Sequence, residues 1–426
     1  MAMQRAVRLA LLTVWLCGLP FAGLAQTVAA IGGGLRYDNT PVWQRIVEAA
    51  GGPDRARFVI LPTASEIPQQ RGEQVLQVLR MHGASAEIIP LAPNWPGLDA
   101  QAVRDDPAQI ARIAAANAVF FTGGSQGRIV DLLQPGGEPT PMLQAIRAVL
   151  ARGGLIAGTS AGAAILSREM FRDAPRVLDV LAGQLRPGHE IDRGLGFVPA
   201  DLFIDQHVIK RGRLGRMLPM MQRAGFPLGL GVADNSAVLI HPDGDLEVLG
   251  ETGALLVDLR EARSDPALPG FNLQGARLSY LEAGDRHSLK RAVSTIAAGK
   301  QPMRPMNLAM AVDPSAQPVV GPDLLTDSGV SKALEALLDS GAHRLVAVSR
   351  AATAAPAPAA SGASAIAASV AAGAPLPAFE FRLIRDEQTR AWRGSGMDGR
   401  PGFSVERIRL DVRQPASHPS ANASPS

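Results

Sequence analysis

Gly154-Leu155-Ile156-Ala157-Gly158-Thr159-Ser160-Ala161-Gly162-Ala163-Ala164 is the stretch that decides the fold. Its apolar run, Leu155-Ile156-Ala157, stops at Gly158-Thr159-Ser160-Ala161-Gly162. A helix-forming sequence follows, Ala163-Ala164-Ile165-Leu166-Ser167-Arg168-Glu169-Met170. The pattern predicts strand, sharp turn and helix, with Ser160 at the apex. A nucleophile on such a turn sits in a strained backbone, and large neighbours at Gly158 or Gly162 would collide with strand or helix. The turn lifts the hydroxyl clear of the sheet. The N–H of Ala161 and the helix N-terminus would then face a developing oxyanion. Alone, Gly-x-Ser-x-Gly also arises by chance in a chain rich in glycine and alanine, so context has to decide.

Around this unit, strand-like runs alternate with helix-like segments over residues 26–300. Strands are expected at 27–31, 57–61, 86–91 and 118–121, and helices at 43–50, 69–82, 108–116 and 141–152. This β-α-β-α order predicts an α/β fold, a three-layer sandwich with a mostly parallel sheet and helices on both faces. Loops at the carboxyl ends of such strands build the site, and Gly32, Thr63, Gly123 and Ser160 all fall there. Further strands are expected at 200–207 and 229–240, the latter broken at Asp234-Asn235, with antiparallel additions at 246–249 and 254–259.

The ends of the chain read differently. Residues 1–25 resemble a signal peptide, with Arg5 and Arg8 ahead of an apolar core and Gly23-Leu24-Ala25 at the cleavage site. That predicts a secreted or periplasmic protein. The single cysteine, Cys17, lies inside this segment and follows Leu16, which argues against a lipid anchor. A mature chain without cysteine excludes disulfides, cysteine nucleophiles and thiolate metal sites. The formal charge of +3 is small and its cations scattered, which speaks against nucleic acid. No other stretch is apolar and long enough to span a membrane. Residues 301–350 read as a C-terminal extension with a helix at 329–338 and a strand at 343–348. Residues 351–377 read as an Ala/Pro-rich linker, 378–413 as a small hairpin of 379–383 with 405–412, and 414–426 as a disordered tail.

Three further stretches carry chemistry. Asp205-Gln206-His207-Val208-Ile209-Lys210-Arg211-Gly212-Arg213-Leu214-Gly215-Arg216 closes a predicted strand. A serine needs a base, and His207 is the candidate. His82, His189, His241, His287, His343 and His418 follow no such strand of the α/β core. The three arginines read either as an exposed helix face or as guanidinium forks for carboxylates. In Gly231-Val232-Ala233-Asp234-Asn235-Ser236-Ala237 an apolar strand is interrupted by polar groups that need partners. Asp234 would orient His207, or else form a plain hairpin turn with Asn235. Phe120-Phe121-Thr122-Gly123-Gly124-Ser125-Gln126-Gly127-Arg128 offers the N–H of Gly124 to an oxyanion hole and Gln126 to a substrate amide or carboxylate. Neither this loop nor Gly32-Gly33-Gly34 has the spacing of a phosphate or dinucleotide cradle.

Together these residues resemble the cyanophycinase family of serine peptidases, which also contains aspartyl dipeptidase. The likeness rests on Phe121 to Gln126, Gly158 to Ala163, Asp205 to Arg216 and Gly231 to Ala237, with Pro62-Thr63-Ala64-Ser65 in support. It covers residues 26–300 and implies a glutamine-amidotransferase-like fold, a homodimer and no cofactor or metal. It implies Ser160 as nucleophile, His207 as base and Asp234 as the third member. Gln126, Asp205, Gln206, Arg211, Arg213 and Arg216 would line the substrate site. Two positions depart from the family: Ser125 where Asp is frequent, and Asp234 where Glu is usual. The order Ser160, His207, Asp234 also separates this chain from α/β-hydrolase esterases, whose acid precedes the histidine. The implied activity is release of β-aspartyl-arginine from cyanophycin. The alternatives are a dipeptidase for peptides with N-terminal Asp and an inactive peptide-binding scaffold.

Overall fold

Apolar runs of four or five residues become strands when their neighbours can cover both faces, and the N-terminal half is built this way. A computed structural model describes residues 26–268, 270–303, 318–350, 378–396 and 399–415. In chain order come β1 (Thr27–Ile31), α1 (Thr40–Ala49), β2 (Arg57–Leu61), α2 (Pro68–Met81), β3 (Ser85–Ile88), α3 (Ala100–Asp105), α4 (Pro107–Ala115), β4 (Ala118–Phe121), α5 (Gln126–Leu133), α6 (Pro141–Ala151) and β5 (Leu155–Thr159). Proline opens α1, α2, α4 and α6, where its missing N–H costs no helical bond. Asp106 and Thr140 cap α4 and α6 by accepting from the N–H groups of Ala108 and Leu143. Alternate side chains of β1 enter different cores. Val28 and Ala30 join Ile113 of α4 and Ile146 of α6, whereas Ala29 and Ile31 join Trp43 of α1 and Leu79 of α2.

The expected helix over 163–170 is largely absent. Ala161–Ala164 form a single turn, α7, and the chain re-enters strand conformation at β6 (Glu169–Phe171), which pairs with β7 (Ile191–Arg193). The carbonyls of Ile165, Leu166, Ser167 and Arg168 accept from N–H groups of residues 194–198 rather than from a continuing helix. Ser167 Oγ also accepts from Ile204 N. Tertiary partners override a helical propensity of a few tenths of a kcal/mol per residue.

Beyond this point the chain builds α8 (Val177–Leu181), β8 (Leu202–Gln206), α9 (Leu214–Ala224), β9 (Leu228–Val232), β10 (Ser236–Ile240), β11 (Asp245–Gly250), β12 (Ala254–Asp258), β13 (Leu273–Leu281), β14 (Arg286–Ser288), β15 (Val293–Thr295), β16 (Lys300–Pro302), β17 (Val319–Val320), α10 (Gly329–Asp339), β18 (Arg344–Arg350), β19 (Ala378–Ile384), β20 (Arg390–Ser395) and β21 (Pro401–Arg413). Two large sheets result, not one. The first runs β15-β14-β11-β10-β1-β5-β4-β2-β3 and the second β17-β18-β19-β21-β13-β12-β9-β8. In the first sheet the pairs from β1 to β3 are parallel and those from β1 to β15 antiparallel. The mostly parallel sheet expected from sequence is therefore corrected to a mixed α/β arrangement. In the second sheet only β8–β9 and β17–β18 are parallel.

The residues read as one interrupted strand, 229–240, belong to both sheets. β9 ends in the second sheet, and after residues 233–235 the chain starts β10 beside β1 in the first. The segment read as a small hairpin also has a larger setting. β19 pairs with β21, and β21 pairs with β13, so residues 378–413 extend the second sheet. The ammonium of Lys300, fully buried, lies 2.7 Å from Ser404 Oγ, 3.1 Å from Asp285 Oδ2 and 3.0 Å from Glu282 Oε2. A buried cation is tolerable only with such partners, and these tie β16 to β21. The expected signal peptide, the 351–377 linker and residues 416–426 of the tail lie outside the described residues.

Candidate active site

Ser160 follows β5 with φ 54° and ψ −112°, a backbone conformation that L residues rarely adopt. Its N–H donates to Ile31 O at 3.0 Å, which fixes the turn against β1. The flanking glycines are needed for close approach. A Cβ on Gly158 would lie 2.0 Å from Gly162 O, and one on Gly162 would lie 2.5 Å from Phe121 O. Among the described residues, the N–H groups of Gly124 and Ala161 donate to no backbone or side-chain acceptor.

His207 leaves β8 with φ 54°, held by a hydrogen bond from its N–H to Gly32 O at 2.9 Å. Its Nε2 lies 2.8 Å from Ser160 Oγ, and its Nδ1 lies 2.7 Å from Asp234 Oδ1. The short arm of Asp234 reaches the imidazole, and the loop carrying it packs against Gly33 and Gly34. Asn235 N donates to Gly33 O at 2.8 Å, and a Cβ on Gly34 would lie 3.2 Å from Asp234 Oδ1.

The remaining candidates separate by burial. Arg216, 1% exposed, forks onto Asp205 with Nε to Oδ2 at 2.7 Å and Nη2 to Oδ1 at 2.5 Å, over the ring of Phe171. Arg213 donates to the carbonyl of Gln206 at 2.9 Å and to its side-chain Oε1. Burial first, then the neighbouring Arg216, hold the Arg213 guanidinium below the ordinary arginine pKa. Gln126 spends its amide on Phe171 O at 2.8 Å and Asp173 O at 3.1 Å. Gln126, Asp205, Gln206, Arg213 and Arg216, expected to line the substrate site, are all buried. They are 6%, 1%, 3%, 5% and 1% exposed; Arg213 and Arg216 bond Gln206 and Asp205, the two residues before His207, and Gln126 bonds the backbone at 171 and 173. The guanidinium fork foreseen for a substrate carboxylate grips the protein's own Asp205. Arg211 alone of the three arginines is exposed, with Lys210 beside it, and neither has an ion pair among the described residues.

A family model, that of peptidase family S51, matches residues 28–248. The chain belongs to that family. It is similar to a cyanophycinase of Synechococcus elongatus, 29% identical over 282 residues, which cover 63% of this chain and 81% of that protein. A cyanophycinase of Trichormus variabilis is 30% identical over 252 residues, covering 57% and 78%. The crystal structure of a peptidase from an acI-B1 Actinobacterium matches with a TM-score of 0.46 and 20% identity, covering 64% of this chain and all of that one.

As an S51 member the protein is a serine peptidase, similar to the cyanophycinases. Several residues that frame its site were not foreseen. Gly33 packs so closely that a Cβ there would lie 2.2 Å from His207 Cε1. Asn235, with φ 53°, accepts at Oδ1 from Arg36 N at 3.0 Å and from Asn39 Nδ2 at 2.9 Å. Asn39 Nδ2 also donates to Asn235 O at 3.1 Å. The three-glycine run and the Asp-Asn pair were visible in sequence, but nothing local marked them as partners. The described residues contain no group of three or more His, Cys, Asp or Glu placed to hold a metal ion.

Proposed function

We propose that this S51 peptidase is a secreted exopeptidase that hydrolyses cyanophycin, multi-L-arginyl-poly-L-aspartate, to β-aspartyl-arginine through an acyl-enzyme on Ser160. The short contacts from Ser160 Oγ to His207 and from His207 to Asp234 carry this reading. The cyanophycinase relatives support the substrate, and the signal-like residues 1–25 support secretion.

In this reading Ser160 stands on the nucleophile elbow of a three-layer α/β sandwich. Its Oγ bonds to the scissile carbonyl carbon while its proton passes to His207 Nε2. Asp234 holds the ring through Nδ1–H and stabilises the imidazolium. The N–H groups of Gly124 and Ala161 donate to the oxyanion. His207 then protonates the leaving amine, the C–N bond breaks, and water attacks the acyl-enzyme by the same proton path to free Ser160. Arg211 and Lys210 offer exposed cations to the carboxylates of the polymer.

Incubation of the mature protein with insoluble cyanophycin granules tests this. Soluble β-aspartyl-arginine is expected from wild type and not from Ser160→Ala. No dipeptide from wild type, or undiminished release by the variant, overturns it. The burial of Arg213 and Arg216 leaves few cations at the site, which also suits a dipeptidase for N-terminal Asp. A panel of Asp-X dipeptides run beside the polymer separates the two readings.

A further inference from the structure

The loop that carries His207 rests on a part of the chain that the S51 match, residues 28–248, does not include. Gly212 has φ +56°, and a Cβ there would lie 2.1 Å from Leu325 O and 2.5 Å from Leu325 Cα, so the two backbones are in direct contact. Three residues on, a Cβ on Gly215 would lie 2.6 Å from Leu325 Cδ2. Ser328 N donates to Ile209 O at 3.2 Å. Leu324 is fully buried in one apolar cluster with Val208, Ile209 and Leu214. Residues 324–328 thus touch the His207 loop through backbone, side chain and a hydrogen bond.

The turn making these contacts is itself braced. Asp323 Oδ1 accepts from Leu325 N at 2.8 Å and from the hydroxyl of Ser349 on β18, and Asp323 O accepts from Thr326 Oγ1 at 2.7 Å. Ser349 is fully buried, so the brace is anchored in the second sheet. The loop it supports has reason to need support. β8 is the edge strand of its sheet, and His207 holds a positive φ. Such a conformation persists only where the surroundings over-determine it.

We propose that the turn at residues 323–328 positions the base of the S51 site, with Leu325 and Asp323 as positioning residues that act through the 207–213 loop on the Ser160–His207 contact. The inference rests on the proposed role of His207. It assigns the C-terminal part of the chain a share in catalysis although no side chain of 323–328 enters the chemistry.

A small fluorophosphonate reads the Ser160–His207 pair without assuming a substrate. Ser160 Oγ bonds to phosphorus, fluoride leaves, and the proton passes to His207. Leu325→Ala and Asp323→Ala are expected to slow labelling and lower kcat on the order of 10–100-fold, with KM within about twofold, as small misplacement of a reacting group does. Leu325→Met and Asp323→Asn, which keep the packing and the acceptor, should restore most of the rate. Leu337→Ala, a buried change in α10 outside residues 323–328, supplies the destabilised control and should keep wild-type labelling. Unchanged labelling in both folded alanine variants, or an equal loss in Leu337→Ala, overturns the positioning role. Wild type that labels but releases no dipeptide breaks only the substrate reading, and the labelling ratios still decide the brace. Wild type that does not label removes the catalytic reading and the brace together.

Discussion

Ser160 leaves a strand flanked on both sides, β5 between β1 and β4, whereas His207 leaves β8, an edge strand paired only with β9. The first mount is held by ladders on either side, by Gly158 against Gly162, and by Ile31 and Phe121 of the flanking strands. The second depends on distant segments, the Gly32–Gly34 loop on one side and the 323–328 turn on another. Ser160 comes from the first sheet and His207 from the second, and the chain itself crosses between them at residues 233–235, where Asp234 sits. Ser160 is thus mounted on a doubly paired strand, with Ile31 and Phe121 of the two neighbouring strands against its turn, whereas His207 hangs from an edge strand and leans on loops. Damage far from the chemistry should fall on the base.

The largest effect should follow loss of the pair itself. Ser160→Ala or His207→Ala should lower kcat on the order of 10³–10⁶-fold, measured as dipeptide release. Gly33→Ala breaks the comparison at the junction, because its Cβ would meet the imidazole and its φ of +112° is strained for alanine. A loss of about 100-fold in kcat and in fluorophosphonate labelling is expected, with the protein still folded. Wild-type rates in Gly33→Ala would mean that the base is not held by that loop.

The arginines sharpen the contrast between support and contact. Arg216→Ala takes the guanidinium fork from the buried Asp205 carboxylate, leaving Arg213 at 3.9 Å, and should cost about 3 kcal/mol of stability by denaturant unfolding. Arg211→Ala should leave stability unchanged and raise KM for β-Asp-Arg oligomers about tenfold. Arg211→Lys should recover only part of that, since an ammonium cannot reproduce a planar fork. The reverse pattern would return Arg216 to the substrate and Arg211 to the surface.

The smallest effect concerns the antiparallel side of the first sheet, at Glu247, whose partners are His241, Arg45 and Arg286 rather than the Ser160–His207–Asp234 cluster. The Glu247 carboxyl on β11 is held down to about 2 from its ordinary 4.5, first by its hydrogen bond with His241, then against burial by Arg45. A carboxylate with a depressed folded-state pKa adds stability that is present above about 4.5 and lost as pH falls towards 2. Glu247→Gln should therefore flatten the decline of Tm with pH in that window and leave kcat at neutral pH unchanged. A variant whose Tm falls as steeply as wild type's would place the acid-labile contact elsewhere.

By itself, the sequence determined the parallel half of the first sheet, the strained serine turn, and three residues, Ser160, His207 and Asp234, that the fold brings into contact. Each of these is written in neighbouring residues: continuous apolar runs for strands buried on both faces, glycines at close approaches, a histidine at a strand end. Tertiary structure alone decided that β9 and β10 part into different sheets, that residues 378–413 complete the second sheet, and that residues 165–168 abandon a helix for partners near 194–198. It alone decided which arginine faces solvent. The reason is common to all four. A strand's pattern of alternation is the same whichever sheet it joins, and a guanidinium reads the same whether a substrate or a buried aspartate eleven residues away in sequence receives it.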